Sequence, residues 1–75
     1  MPLSQYEQSE LRYALRTGDG RAFADVVRNA YCDYETLEGF VLSQPGGERT
    51  VGNRGIRVDN TLVRRYGSRP EVVEE

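Results

Sequence analysis

Residues 20–42, GRAFADVVRNAYCDYETLEGFVL, hold most of the large apolar side chains of the chain, in two closely spaced clusters. In the first cluster the apolar residues recur at the i, i+3, i+4, i+7 and i+8 spacing of one helix face. These residues are Phe23, Val26, Val27, Ala30 and Tyr31. Asp19 comes just before the run, where a residue that caps a helix N-terminus belongs. The pattern therefore predicts an amphipathic helix that begins after Asp19.

The second cluster predicts another helix, from Tyr34 to about Leu42, whose apolar face completes the core. Asp33 is placed to cap its N-terminus. Leu37, Phe40 and Val41 continue the apolar face. Gly39 weakens a helix by roughly 1 kcal/mol relative to alanine. For that reason a strand over residues 40–43 is an alternative for the end of this segment.

The N-terminal part of the chain predicts one more helix. Ser4 and Glu7 have the S-x-x-E spacing of a capping box, in which each side chain accepts a hydrogen bond from the other residue's backbone N–H. The helix should run from Gln5 to about Thr17, and Gly18 is suited to the position just after its end. Its apolar stripe is narrow, so we expect this helix to lie on the core rather than within it.

After Pro45-Gly46-Gly47 the apolar residues follow the period of two that is typical of strands. Gly52-Asn53-Arg54-Gly55 indicates a turn or bulge. Residues 55–58 and 61–66 should be strands joined by Asp59-Asn60, since both residues tolerate the left-handed backbone that a two-residue turn requires. In this register Val58 faces Thr61 and Ile56 faces Val63. One face then carries Ile56, Val58 and Val63, and the other carries Arg57, Leu62, Arg64 and Tyr66.

These elements predict an α+β fold, an N-terminal three-helix unit followed by a C-terminal β-hairpin. Residues 1–69 should form a single small globular domain, and residues 70–75 an acidic tail that is frayed or serves as a contact arm. A lone hairpin is marginal in water, so its apolar face must pack on the helices or on another chain. Two architectures fit this order of elements. One is a compact helical unit with the hairpin packed across it, and the other is a winged helix-turn-helix. The third helix, DYETLEGFVL, is acidic, which argues against reading of the DNA major groove.

Composition excludes several kinds of chemistry. The 75 residues include ten arginines, no lysine and no histidine. Lysine Schiff-base and P-loop mechanisms are therefore ruled out, and the commonest general base and metal ligand are missing. We expect no enzyme activity, no cofactor and no metal. Cys32 is the single cysteine, and Asp33 beside it disfavours a reactive thiolate. No apolar run approaches a membrane span and the first residues do not resemble a signal peptide, which favours a cytoplasmic protein without membrane contact.

Charge is distributed unevenly along the chain. Residues 1–47 carry a net charge of −3, residues 48–69 a net charge of +4, and residues 70–75 a net charge of −3. One interpretation is a solvated hairpin with the acidic tail folded back on it. The other is a recognition face, because arginine is suited to bidentate contacts with carboxylate and phosphate. The candidate partner-binding residues are Arg54, Arg57, Arg64, Arg65 and Tyr66.

Three functional hypotheses follow from this charge pattern. The first is a small protein-binding module (an adaptor, an inhibitor or an assembly subunit) that uses the hairpin face against an acidic partner. The short length and the missing lysine fit a protein of a phage or mobile element in a GC-rich host. The second hypothesis is binding to the nucleic-acid backbone through the basic hairpin. The third is a structural subunit of a larger assembly, in which the hairpin pairs by its edge with a neighbour and a homo-oligomer is one form of that assembly.

Overall fold

The computed structural model describes residues 2–74, in which three helices are followed by an antiparallel four-stranded sheet of order β1-β2-β3-β4. The helices are α1 (Gln5–Thr17), α2 (Gly20–Asn29) and α3 (Tyr34–Ser43), and a short 3₁₀ turn follows at Gly47–Arg49. The strands are β1 (Val51–Gly52), β2 (Gly55–Val58), β3 (Thr61–Tyr66) and β4 (Arg69–Glu74). The α+β class is confirmed, and the expected hairpin is the centre of a wider sheet.

The helices begin where their capping residues predict. At α1 the Ser4 hydroxyl accepts a hydrogen bond from the Glu7 backbone N–H at 3.1 Å, and the Glu7 carboxylate accepts one from the Ser4 backbone N–H at 3.0 Å. The Asp19 carboxylate accepts from the Ala22 N–H at α2, and the Asp33 carboxylate accepts from the Thr36 N–H at α3. Because these side chains satisfy donors that a helix leaves unpaired, each one sets the first turn in place.

Residues 40–43 belong to α3, so the alternative of a strand at this place is wrong. Tyr34, Leu37 and Val41 are buried at helical spacing, and Val41 has no exposed surface. Burial of this face in the tertiary structure outweighs the propensity cost of Gly39, which lies on the solvent side of the helix with no atom of another element near it.

The core lies between the helices and one face of the sheet, which we call the inner face. Buried apolar side chains from every helix and from β2 and β3 form one cluster there. Phe23 is its largest fully buried side chain. The start of α2 lies against the β2–β3 turn so closely that a Cβ on Gly20 would be 2.5 Å from the Val58 carbonyl oxygen. This close approach holds the helical layer against the sheet.

The predicted register of the hairpin is confirmed, with Val58 opposite Thr61 and Ile56 opposite Val63. Ile56, Val58 and Val63 are buried in the core, so the hairpin is packed across the helices in the compact arrangement. Asp59 in the β2–β3 turn has a positive φ of 56°, the left-handed backbone that the turn was expected to require.

The expected acidic tail needs correction, because residues 69–74 form strand β4 alongside β3. Gly67-Ser68 makes a two-residue turn, with Gly67 at φ +65°, that reverses the chain after Tyr66. Val72 then packs against the core while Glu71 lies opposite Arg64. The strand is held by an apolar residue on one side and by charge pairing on the other. Glu75 lies outside the described residues.

Candidate partner-binding surface

The sheet face turned away from the helices carries most of the predicted binding residues, and we call it the outer face. Residues that lie opposite one another on neighbouring strands share a face. The register therefore places arginine, tyrosine and glutamate side chains together with one leucine on this side. They are Arg57, Leu62, Arg64, Tyr66, Arg69, Glu71 and Glu74. Three of the five candidate residues, Arg57, Arg64 and Tyr66, are thus brought together as the sequence predicts.

Strand β4 pairs two of these arginines with glutamates. Nη2 of Arg57 is 3.0 Å from Oε1 of Glu74, and Nη2 of Arg64 is 3.2 Å from Oε1 of Glu71. All four side chains are about half exposed, and exposed pairs of this kind contribute only about 0.2–1 kcal/mol to stability. This arrangement matches the interpretation in which the acidic C-terminal residues fold back on the hairpin, and it lowers the net positive charge of the outer face.

The end of the outer face nearest the β3–β4 turn carries an arginine and a tyrosine without a carboxylate partner. Tyr66 is 65% exposed, although its ring offers a large apolar surface. Arg69 lies directly opposite Tyr66 and forms no ion pair with any residue between 2 and 74. The structure therefore adds Arg69 to the candidate surface. The sequence signal for Arg69 was the two-residue turn Gly67-Ser68 before it. If the alternation of side chains along β3 is continued beyond this turn, it predicts a paired strand that contains Arg69.

Leu62 is only 7% exposed although it lies on the outer face. It does not belong to the core cluster. Its neighbours around two shallow cavities include Arg54, Arg57 and Arg64. Arginine side chains can lay their aliphatic stems over apolar surface while the guanidinium stays in water. The arginines of the outer face therefore also shield Leu62 from solvent.

Arg65 does not share the outer face with the other candidates. Because successive side chains of a strand point to opposite faces, Arg65 is on the inner side at the end of β3. Its Cζ lies 5.2 Å from the centroid of the Tyr34 ring, within cation–π distance. Tyr34 is 4% exposed, and burial, followed by the nearby carboxylate of Glu38, raises the pKa of its hydroxyl. The five predicted residues therefore do not form a single face.

Arg54 is in the β1–β2 turn, where it joins Arg64 and Arg65 around a cleft that we call the arginine cleft. The cleft has a volume of about 340 Å³ and lies between the Gly52–Gly55 turn, α3 and the end of β3. Its walls also include Tyr34 and Glu38 of α3. Residues from opposite faces of β3 can meet here because β2 begins at Gly55 and leaves Arg65 without a partner on that side. No pattern in the amino-acid sequence indicates that α3 closes this cleft.

A larger cavity of about 790 Å³ lies between the α2–α3 loop and β4, and it includes Cys32. Cys32 packs against the core, and burial, Glu7 and Asp33 together raise the pKa of its thiol. The thiol is therefore protonated at neutral pH, in line with the expectation that Asp33 disfavours a thiolate. Among residues 2–74 no group of three His, Cys, Asp or Glu side chains is placed to hold a metal ion.

None of the helices in the described part of the chain is long and apolar enough to cross a membrane. Comparison of the chain with protein-family models, with curated proteins and with solved structures finds no match. The arrangement of the outer face and the arginine cleft is therefore the basis for any functional proposal.

Proposed function

We propose that this protein is a small non-enzymatic binding module whose outer face contacts an acidic surface of a protein partner. The observation that carries the proposal is the exposed Tyr66 beside Arg64 and Arg69 on the antiparallel sheet. Tyrosine and arginine are enriched at protein interfaces and among the residues that supply most of the binding energy. A tyrosine combines a large apolar ring with a hydroxyl that can be hydrogen-bonded, which suits a surface that is buried only in a complex.

The mixed charge of the outer face favours a protein over nucleic acid as the partner. Binding to a nucleic-acid backbone depends on several cations that replace counterions along successive phosphates. Here Glu74 and Glu71 already pair with Arg57 and Arg64. A protein surface can satisfy such a face with carboxylates placed near the arginines and with polar groups near the glutamates, because complementary patterns of charge set specificity at protein interfaces.

The test is capture of partners from host lysate by the full-length protein, with variants that separate the outer face from the rest of the surface. Tyr66→Ala should lower retention of the specific partner at least about tenfold, the effect of losing an interface hot spot. Tyr13→Ala removes an exposed tyrosine from α1 and should retain the partner as the wild type does. Equal retention by wild type and Tyr66→Ala would contradict the proposal.

Nucleic-acid binding is tested separately with random duplex DNA across a series of salt concentrations. We expect no tight binding at low salt, and no difference between wild type and the Arg57→Ala/Arg64→Ala variant. Affinity that falls steeply with salt and disappears in this double variant would favour nucleic acid as the partner, because the salt dependence reports the number of phosphates neutralised.

A further inference from the structure

The arginine cleft concentrates positive charge at one point of the molecule. Arg54, Arg64 and Arg65 line it, and among residues 2–74 the one carboxylate that lines it is that of Glu38. Arg65 is held over the Tyr34 ring, and Arg54 forms no ion pair with any residue between 2 and 74. Only Arg64 has a carboxylate partner, Glu71, at an exposed ion pair. The cleft therefore holds guanidinium groups whose hydrogen-bond donors are not used by carboxylates of the described chain.

The register of the sheet determines the side of β3 to which the backbone N–H of Arg65, one of the residues that line the cleft, is directed. Tyr66 and Arg69 flank a two-residue turn, so their backbone groups bond to each other. The alternation along β3 then directs the N–H of Arg65 to the opposite side, towards β2. Because β2 pairs with β3 only from Ile56 onward, no ladder residue receives this N–H.

The backbone of the turn comes close to β3 because Gly55 has no side chain. A Cβ at Gly55 would be 2.1 Å from the Val63 carbonyl oxygen, and its φ of +135° is one that other residues rarely adopt. Gly55 therefore brings Arg54 next to the end of β3. The position of the Arg54 backbone beside the end of β3 is therefore set by the fold.

From this geometry we propose that the arginine cleft binds a phosphomonoester group. Arg54 and Arg65 form no ion pair with any residue between 2 and 74, and Arg64 also lines the cleft although Glu71 already contacts its guanidinium group. Such a group of guanidinium donors suits a phosphomonoester, which presents three acceptor oxygens and nearly two negative charges at neutral pH. The proposal names the group that the partner presents, so it rests on the proposed binding function. A phosphorylated side chain of the partner supplies this chemistry, and the outer face beside the cleft then contacts the surrounding protein.

The charge layout also favours a phosphomonoester over a phosphodiester backbone. The cleft is single, and two of the arginines on the surface beside it are paired. Each phosphodiester carries only one charge, and its binding energy is spread over several successive phosphates. Among the described residues of the outer face, Arg57 and Arg64 are paired with glutamates and Arg69 alone is an unpaired arginine, so no row of unpaired arginines continues the cleft. The charge is therefore arranged for one doubly charged group.

The test is titration of the full-length protein with phenyl phosphate at constant ionic strength. Binding is monitored by the NMR signals of the arginine side chains. Arg54→Gln and Arg65→Gln should each weaken binding roughly tenfold or more, as expected for loss of a charged hydrogen bond. Arg21→Gln is the control with the same loss of charge. It lies at the start of α2, next to the end of the sheet opposite the cleft, and should bind like the wild type.

Glu38→Gln provides a variant with the opposite expected effect. Removal of the cleft carboxylate should tighten binding several-fold, because it takes away a like charge beside the phosphate, and a gain of affinity cannot result from unfolding. Wild-type affinity should rise as pH increases through about 6, where the second phosphate proton is lost. Absence of saturable binding, or equal weakening in Arg21→Gln, would overturn the site.

Two further comparisons identify the source of the phosphate and distinguish failure of the cleft proposal from failure of the outer-face proposal. Duplex DNA that bound more tightly than phenyl phosphate, with the same dependence on Arg54 and Arg65, would overturn the assignment to a phosphomonoester. If the cleft does not bind phosphate, Tyr66→Ala should still retain less of the captured partner than the wild type. Failure of the outer face leaves phenyl phosphate binding unchanged, so the two proposals can fail independently.

Discussion

The guanidinium group of Arg65 lies over the ring of Tyr34, with its Cζ 5.2 Å from the ring centroid. This contact joins the end of β3 to the first turn of α3. A second link is made nearby, where the Tyr34 backbone N–H donates to the Ser68 carbonyl oxygen at 2.8 Å. The N-terminus of α3 is therefore fixed against the β3–β4 turn, and this arrangement gives the arginine cleft its helical wall.

Burial of Tyr34 should make stability depend on alkaline pH. Its folded-state pKa is raised above the usual value of about 10, so the folded protein favours the protonated hydroxyl. This contribution to stability is fully present below the unfolded-state pKa and is lost as pH rises through the folded-state pKa. We expect the free energy of unfolding of the wild type to fall more steeply above pH 10 than that of Tyr34→Phe. Urea unfolding across pH measures this difference, and parallel curves would contradict it.

Two glycine positions should respond oppositely to alanine. At Gly20 the new Cβ would meet the Val58 carbonyl oxygen at 2.5 Å and Oγ1 of Thr61 at 2.7 Å, so Gly20→Ala should destabilise the protein by about 1–3 kcal/mol. Gly39 lies within α3 with open space around it, and Gly39→Ala should stabilise by about 0.5–1 kcal/mol. Urea unfolding of both variants gives the comparison. A loss of stability in Gly39→Ala would contradict the open space around this position.

Phe23 should be among the most costly side chains to truncate. It is fully buried at the centre of the core cluster, so Phe23→Ala should lower the free energy of unfolding by about 3–5 kcal/mol. Tyr13→Ala removes another aromatic ring, but one that is half exposed on α1, and should change stability by less than about 0.5 kcal/mol. Chemical denaturation measures both. A shift below about 1 kcal/mol for Phe23→Ala would show that α2 is misplaced.

The β2–β3 turn should be sensitive to the left-handed backbone of Asp59, whose φ is +56°. Asp59→Ala should destabilise by about 1 kcal/mol, because alanine lacks the local hydrogen bonding that lets aspartate tolerate this region. Asp59→Gly should be at least as stable as the wild type, since glycine adopts the same backbone without strain. The order of the three thermal midpoints checks this, and an alanine variant as stable as the glycine variant would contradict it.

Cys32 should react slowly with alkylating reagents in the folded state. Burial, together with Glu7 and Asp33, raises its pKa, and the thiolate is the reactive form. Iodoacetamide at neutral pH should modify Cys32 several-fold more slowly in the native protein than in urea. Asp33→Asn removes one of the nearby charges and should raise the native rate. A native rate equal to the denatured rate would contradict the buried environment.

Local signals were sufficient for most of the secondary structure. Ser4, Asp19 and Asp33 each cap a helix because their carboxylate or hydroxyl oxygens satisfy backbone donors within the next three residues, and such an interaction needs no distant partner. The register of β2 and β3 was predictable for the same reason, since the Asp59-Asn60 turn aligns neighbouring residues directly. Strand β4 was missed because the glutamates between 71 and 75 were interpreted by charge, which hid the turn at Gly67-Ser68.

The candidate site was only partly predictable. Alternation along β2 and β3, together with the register of the hairpin, placed Arg57, Arg64 and Tyr66 on one face, but the ion pairs to Glu74 and Glu71 depend on a strand that the charge pattern concealed. The contact of Arg65 with Tyr34 and the closing of the arginine cleft by α3 involve arginines and α3 residues that lie 16 to 31 positions apart. No periodicity or cap relates residues at that separation.

By itself the amino-acid sequence determined the helix starts, the buried positions Phe23 and Val27 of α2 and the pairing of β2 with β3, because each depends on residues only a few positions apart. Ala30 and Tyr31, predicted for the same apolar face, lie beyond the end of α2, and Tyr31 is exposed. Only the tertiary structure decided which arginines are neutralised, which face α3 and which converge on a common cleft. Those outcomes depend on how the helical layer is laid on the sheet, and that is set by burial of the whole core at once.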